Sequence, residues 1–144
     1  MLIEANKALA RRFIEEIANR DNLAIADELF APDFETRDAV VPTAPGPEGV
    51  KQVFRAVRAA FPDFHETAED VLADEDRVMV RWSTRGTHLG PFAGIAPTGK
   101  TVGWRGVFIL RVKDGRFVEM WQVHDTLGLL RQLGATVVPP QAPG

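Results

Sequence analysis

The hydrophobic period of this chain changes once, at Phe61-Pro62, and that change limits the folds open to it. Before it, Leu9, Phe13 and Ile17 recur every four residues with Ala10 and Ile14 alongside, one face of a helix over roughly residues 3–19. The run NLAIADELF predicts a second helix, capped by Asp21 or Asn22, with Leu23, Ala26, Leu29 and Phe30 facing in and Ala31-Pro32-Asp33 stopping it. A polar, proline-rich stretch follows, ETRDAVVPTAPGP, whose first half has room for a short strand. Pro47 suits the first turn of a third helix that places Val50, Val53, Phe54, Val57 and Phe61 on one side, and Phe61-Pro62 ends it.

After Pro62 the period is two. His65–Leu72 and Arg77–His88 read as strands around the turn Ala73–Asp76. In the second strand Val78, Val80, Trp82, Thr84, Gly86 and His88 share one face, and Met79, Arg81, Ser83, Arg85 and Thr87 share the other. Thr101–Val112 is a third strand, with Trp104, Gly106, Phe108 and Leu110 on one face. Lys113-Asp114-Gly115-Arg116 carries a tight hairpin signal, and Phe117–Asp125 is a fourth strand, with Trp121, Val123 and Asp125 sharing a face. Thr126–Leu133 is a short closing helix. Helices first and antiparallel hairpins after argue an α+β fold with helices packed on one sheet face. The interior glycines Gly86, Gly103 and Gly106 argue strong curvature, hence a cone with an open mouth that suits a small molecule.

The composition narrows the function. At 144 residues the chain fits one domain, residues 1–134, followed by a loosely ordered end, residues 135–144, with three prolines. The formal net charge of -3, with no basic run longer than Arg11-Arg12, argues against a nucleic-acid partner. No run approaches the roughly 20 apolar residues of a membrane span, and the charged start MLIEANKALARRF does not resemble a signal peptide. Zero cysteines remove disulfides, thiolate nucleophiles and cysteine zinc sites, and fit a cytoplasmic protein. His65, His88 and His124 lack the helical spacing of a metal pair, so no metal is expected. The lysines sit beside turns or on polar faces, and Ser83 is the one serine, so Schiff-base and serine-nucleophile chemistry are not expected either.

One motif is rejected. Gly94–Thr101, GIAPTGKT, matches the phosphate-binding pattern G-x-x-x-x-G-K-[ST]. That loop works because a helix N-terminus follows it. Here a strand pattern follows, and Pro97 removes an N–H donor, so a surface loop is expected.

Asp125 is the residue with chemical promise. Shared with Val123 and Trp121, its strand face is apolar, and in such company the charged form of a carboxylate is disfavoured, which suits a base near neutral pH. The alternative is that Asp125 caps the closing helix, and a carboxylate fully used by backbone N–H groups makes a poor base. His88 ends its strand where it can line a pocket mouth or simply pack. Trp82, Trp104, Phe108 and Trp121 are pocket or core lining, and Arg105 lies off the Trp104/Phe108 face, which suits an outer surface.

Four segments carry a family resemblance: NKALARRFIEEIANRDNLAIADELFAPDF, GPEGVKQVFRAVRAAFPDF, DRVMVRWSTRGTHLGPFAGIAPTGKTV and DGRFVEMWQVHDTLGLLRQLG. Together they cover most of residues 6–134, and the chain resembles the SnoaL-like proteins, the polyketide cyclase and ester cyclase branch of the NTF2-like superfamily. The resemblance implies a cone-shaped α+β fold, a deep apolar pocket and commonly a homodimer. It also implies an acid/base aspartate at the end of the last long strand, here Asp125 in W-x-x-x-D-x-L-G. The implied reaction is a cofactor-free intramolecular aldol closure on an apolar, carbonyl-bearing molecule, of the kind used in secondary metabolism. The chain carries Ile14 where the family often has a pocket tyrosine, Arg37 where a polar residue is common, and Phe108 where many relatives are polar. Trp104 N–H, His88 and Arg37 are the candidate stabilisers of an enolate oxygen. Having no tyrosine disfavours a ketosteroid-isomerase or limonene-epoxide-hydrolase reading. The rival is a non-catalytic binder of an apolar metabolite, or a related NTF2-like hydrolase or isomerase.

Overall fold

The computed structural model describes residues 2–37 and 43–142. The period-two half forms β2 (His65–Asp74), β3 (Arg77–Thr87), β4 (Thr101–Lys113) and β5 (Arg116–His124), each antiparallel to the next. Asp114 (φ 52°) and Gly115 (φ 75°) both take the left-handed conformation that a tight hairpin turn demands. A fifth strand, β1 (Phe30–Arg37), joins β5 in parallel, so the sheet is mixed, in the order β1-β5-β4-β3-β2.

β1 starts at the last residue of the expected second helix, Phe30. That helix contracts to a 3-10 turn, Leu23–Ile25, and a single turn, α2 (Ala26–Leu29), and Phe30 is already extended. Pro32 lacks the N–H that another helical turn would need. Neither expected cap operates: Asn22 makes no side-chain cap bond, and Asp21 sits at φ 57°. Of residues 35–47, the first three belong to β1; the rest of the expected short strand falls within residues 38–42, outside the described residues.

Residues 3–19 are helical as expected, but in two forms. α1 (Leu2–Arg12) widens into a π-helix over Phe13–Asn19, which turns Phe13, Ile14, Ile17 and Ala18 all inward. α3 (Gly46–Ala60) has Pro47 in its first turn, as the sequence implies. Its apolar stripe is narrower than expected: Val50 is buried, whereas Val53 is 41% exposed.

The helices pack on the concave face through aromatic rings. Phe13 meets Phe30 at 5.1 Å, Phe108 at 5.7 Å and Phe117 at 6.1 Å between centroids, above Val78, Val80 and Leu110. Each such buried side chain contributes about 1.5–3 kcal/mol. A second cluster, with Phe61, Phe64, Val102, Leu129 and Leu133, seats α4 (Thr126–Gln132) at the other end of the sheet.

One irregularity decides which side chains of β5 face the interior. Arg111 pairs with Glu119 but Val112 pairs with Phe117, so Val118 is an extra residue. Because side chains alternate, one inserted residue moves every later one to the opposite face. Phe117 faces in, and beyond the bulge so do Met120, Gln122 and His124, opposite Leu110, Phe108 and Gly106. Trp121 and Val123 therefore lie on the convex face, where Val123 is 79% exposed. The apolar company expected for Asp125 is a surface stripe.

Candidate functional site

A row of chemically able side chains crosses the concave face. Glu66 on β2 is in register with Thr84 on β3, and Ala68 with Trp82. Trp82 is in register with Gly106 on β4, which pairs in turn with His124 on β5. Gly106 is what lets this row assemble: a Cβ there would lie 2.6 Å from the Trp82 ring and 2.7 Å from the His124 Cβ. Trp82 and His124 meet edge to face at 6.0 Å. His124 keeps an exposed rim, and desolvation of the rest lowers its pKa.

Glu66 is 6% exposed. Its backbone is pinned from the helix: the Asn19 side-chain amide donates to Glu66 O at 2.8 Å, and Glu66 N donates back to Asn19 Oδ1 at 2.7 Å. β2 is an edge strand, and this pair satisfies two of its outer backbone groups. The carboxyl itself is left in apolar surroundings. Desolvation alone pushes its pKa up to about 8, with no charge or hydrogen bond opposing it. Glu66 lines a cleft of about 360 Å³ between the π-helix and β2, with Ile14, Ala68 and Asn19 within and Arg11, Glu15, His65 and Thr67 also on its walls. Among the described residues, three buried side-chain polar atoms have no hydrogen-bond partner: Glu66 Oε2, Trp82 Nε1 and His88 Nε2.

The other expected pocket residues divide between the two faces. His88 is fully buried; its Nδ1 accepts the Thr98 N–H at 3.1 Å, which puts the ring proton on Nε2. Phe61 bridges it to Trp104, at 5.6 Å and 5.0 Å. Phe108 is part of the aromatic core, and Ile14 is buried on the cleft wall. Trp121 and Arg37, by contrast, are register partners on the convex side, where Arg37 pairs with Glu119 at 2.9 Å and Arg77 lies 5.6 Å over the Trp121 ring. The bulge at Val118 is the reason for Trp121. Residues 94–100 form the expected loop into β4, and Arg105 is exposed.

Asp125 is exposed and is the N-cap of α4. Its Oδ1 accepts the Gly128 N–H at 2.8 Å. The Leu127 amide does not join, so the carboxylate is partly used. A Cβ at position 128 would collide with Oδ2, so glycine there is what leaves room for the carboxylate. No group of three or more histidines and carboxylates that could hold a metal is assembled among the described residues. No helix there is long and apolar enough to cross a membrane.

Sequence reasoning missed Glu66, Asn19, Gln122 and inward-facing His124. The first part of β2, HETAED, is polar at nearly every position and offers no contrast for alternation to read.

The sequence profile of the SnoaL-like polyketide cyclases matches residues 8–133. The chain belongs to this family. It is 30% identical over 118 residues to nogalonic acid methyl ester cyclase of Streptomyces nogalater, across 75% of this chain and 82% of that enzyme. AclR, a proposed hydroxylase from Streptomyces galilaeus, superposes with a TM-score of 0.81 at 32% identity, covering 96% of this chain and 91% of its own. IdmH, a proposed polyketide cyclase from Streptomyces antibioticus, superposes with a TM-score of 0.76 at 34% identity, covering 90% and 99%. The curved, unclosed sheet over N-terminal helices is the NTF2-like cone.

Proposed function

We propose that this cyclase-family chain closes a ring by cofactor-free intramolecular aldol chemistry on an apolar, carbonyl-bearing substrate, with Asp125 as acid/base. The observation that carries this reading is the Asp125 carboxylate at the β5–α4 junction: one oxygen is held by Gly128 N–H and the other is left without a donor. A held but incompletely satisfied carboxylate can be positioned and still take a proton. Asp125 removes the acidic proton between two carbonyls. The enolate carbon attacks a second carbonyl of the same molecule, and the alkoxide is protonated as the ring closes.

The reading includes a homodimer and the cytoplasm as the place of action. Register aligns Met79, Ile109 and Trp121, and Val107 with Val123, as an apolar stripe on the convex face, which suits a second copy. A chain without cysteine needs no oxidising compartment.

The exposure of Asp125 and its cap bond favour a second reading, a pocket protein in which Asp125 only holds α4. The hydroxylase name of AclR also fits a fold that hosts more than one chemistry. The test is deuterium uptake at the activated carbon of β-dicarbonyl compounds in heavy water. Uptake by wild type and its loss in Asp125→Asn support the enolate mechanism. No uptake on compounds that bind overturns it in favour of the binder.

A further inference from the structure

We infer that the Glu66 carboxyl forms a subsite for an uncharged carbonyl oxygen of the ligand, in the cleft between the π-helix and β2. The inference rests on the proposed carbonyl-bearing substrate, and it assigns that carbonyl a place far across the sheet from Asp125.

Two observations carry it. Glu66 is buried, and its Oε2 has no hydrogen-bond partner. Buried polar groups are otherwise nearly always satisfied, and an orphan calls for a reason. A cleft of about 360 Å³ reaches Glu66 past Ile14 and Ala68.

The chemistry of the carboxyl selects the ligand. A neutral carboxylic acid is a hydrogen-bond donor. Glu66, held neutral by desolvation up to about pH 8, is kept in the donating form. A donor in a desolvated site binds a carbonyl oxygen and strengthens as charge develops on it. It gives a hydrocarbon no compensation. The titratable and charged groups on the cleft are Arg11 and Glu15 from the helix and His65 from β2, with His124 beyond Trp82; the β3 neighbours Thr84 and Trp82 are uncharged.

The test compares 1-tetralone with tetralin, two rings of one shape that differ in the carbonyl oxygen, by calorimetry on the full chain. Wild type is expected to bind the ketone about tenfold tighter at pH 6.5, the worth of one hydrogen bond. The bound ketone's C=O stretch should shift to lower frequency. Glu66→Leu should bring the two ligands level, and Glu66→Gln, which keeps a neutral donor, should retain the preference. Above about pH 8–9 wild type should lose the preference as Glu66 ionises, whereas Glu66→Gln should not. Circular dichroism establishes that each variant is folded. Failure of tetralone to bind, equal binding of both ligands to wild type, or a preference that survives Glu66→Leu overturns the subsite. Because the readout is binding, it separates from the Asp125 mechanism, which stands or falls on deuterium exchange.

Discussion

Asp125 and Glu66 are both carboxylic acids on one curved sheet, and their settings are opposite. Asp125 lies at the last strand's end, exposed, with an amide N–H on one oxygen. Glu66 lies near the start of the edge strand, buried, with nothing donating to its carboxyl. Asp125 owes its place to a local device, the start of a helix. Glu66 owes its depth to a tertiary one, the π-helical segment that lays Ile14 and Asn19 over β2. A short helix start fixes geometry, and a remote helix fixes dielectric. A site for enolate chemistry uses both, a positioned base and a dry donor.

The comparison breaks first at Asp125. Asn at this position still caps a helix, so Asp125→Asn should leave stability nearly unchanged. Deuterium exchange should fall by about 10²–10⁴, equivalent to about 3–5 kcal/mol in the barrier. A comparable loss of stability would mean that the residue is structural.

Glu66 should do the reverse, acting on stability through pH. Its pKa rises from 4.5 to about 8 on folding, so between these values the native state holds a proton that the unfolded state has lost. Wild-type stability should therefore fall as pH climbs from about 4.5 to about 8 and level off above. Glu66→Gln lacks this term. Urea melts should show the two proteins alike near pH 5 and the variant ahead by about 3 kcal/mol near pH 9, the scale of an uncompensated buried charge. His124, with its pKa lowered by desolvation, works with the opposite sign, gaining stability as pH rises through its range. It is common to both proteins and cancels in the difference.

These two acids also mark how far the sequence could be read. The inward placement of Val78, Val80, Trp82 and Phe108 follows from simple alternation, and the family resemblance pointed to the cone. Alternation failed at Trp121 because a bulge at Val118 changes phase, and nothing in the run RFVEMWQVH announces an inserted residue. The helical period failed at Phe30, where the pattern gave way to Pro32. Alternation was silent at Glu66 because burial there comes from a segment 47 residues away, the separation between Asn19 and its strand partner. Local pattern carries local causes, and the features it missed have causes elsewhere in the chain.

Gly128→Ala sharpens the contrast on a smaller scale. A methyl there collides with Asp125 Oδ2 and forces the carboxylate to turn away. Losing the cap costs about 1 kcal/mol, and replacing glycine inside a helix returns about as much. The melting temperature should therefore move little while Asp125-dependent exchange drops by about tenfold or more, since misplacement of a reacting group is costly. An unchanged exchange rate would mean that the cap rotamer has no part in the chemistry.

The smallest effect belongs to the convex face, where charges are paired and wet. Arg81 Nε meets Asp70 Oδ2 at 2.6 Å, with both side chains about half exposed. Exposed pairs of this kind contribute about 0.2–1 kcal/mol, because water already solvates both ions and salt screens them. A double-mutant cycle with Arg81→Ala and Asp70→Ala should give a coupling in that range at low salt, shrinking toward zero at about 1 M salt. The paired ions outside should thus weigh less than the single unpaired acid inside. Solvent, rather than the number of partners, sets that order. A salt-insensitive coupling as large as the pH 9 effect at Glu66 would reverse it and require the convex face to be as desolvated as the concave one, as it would be beneath a second copy of the chain.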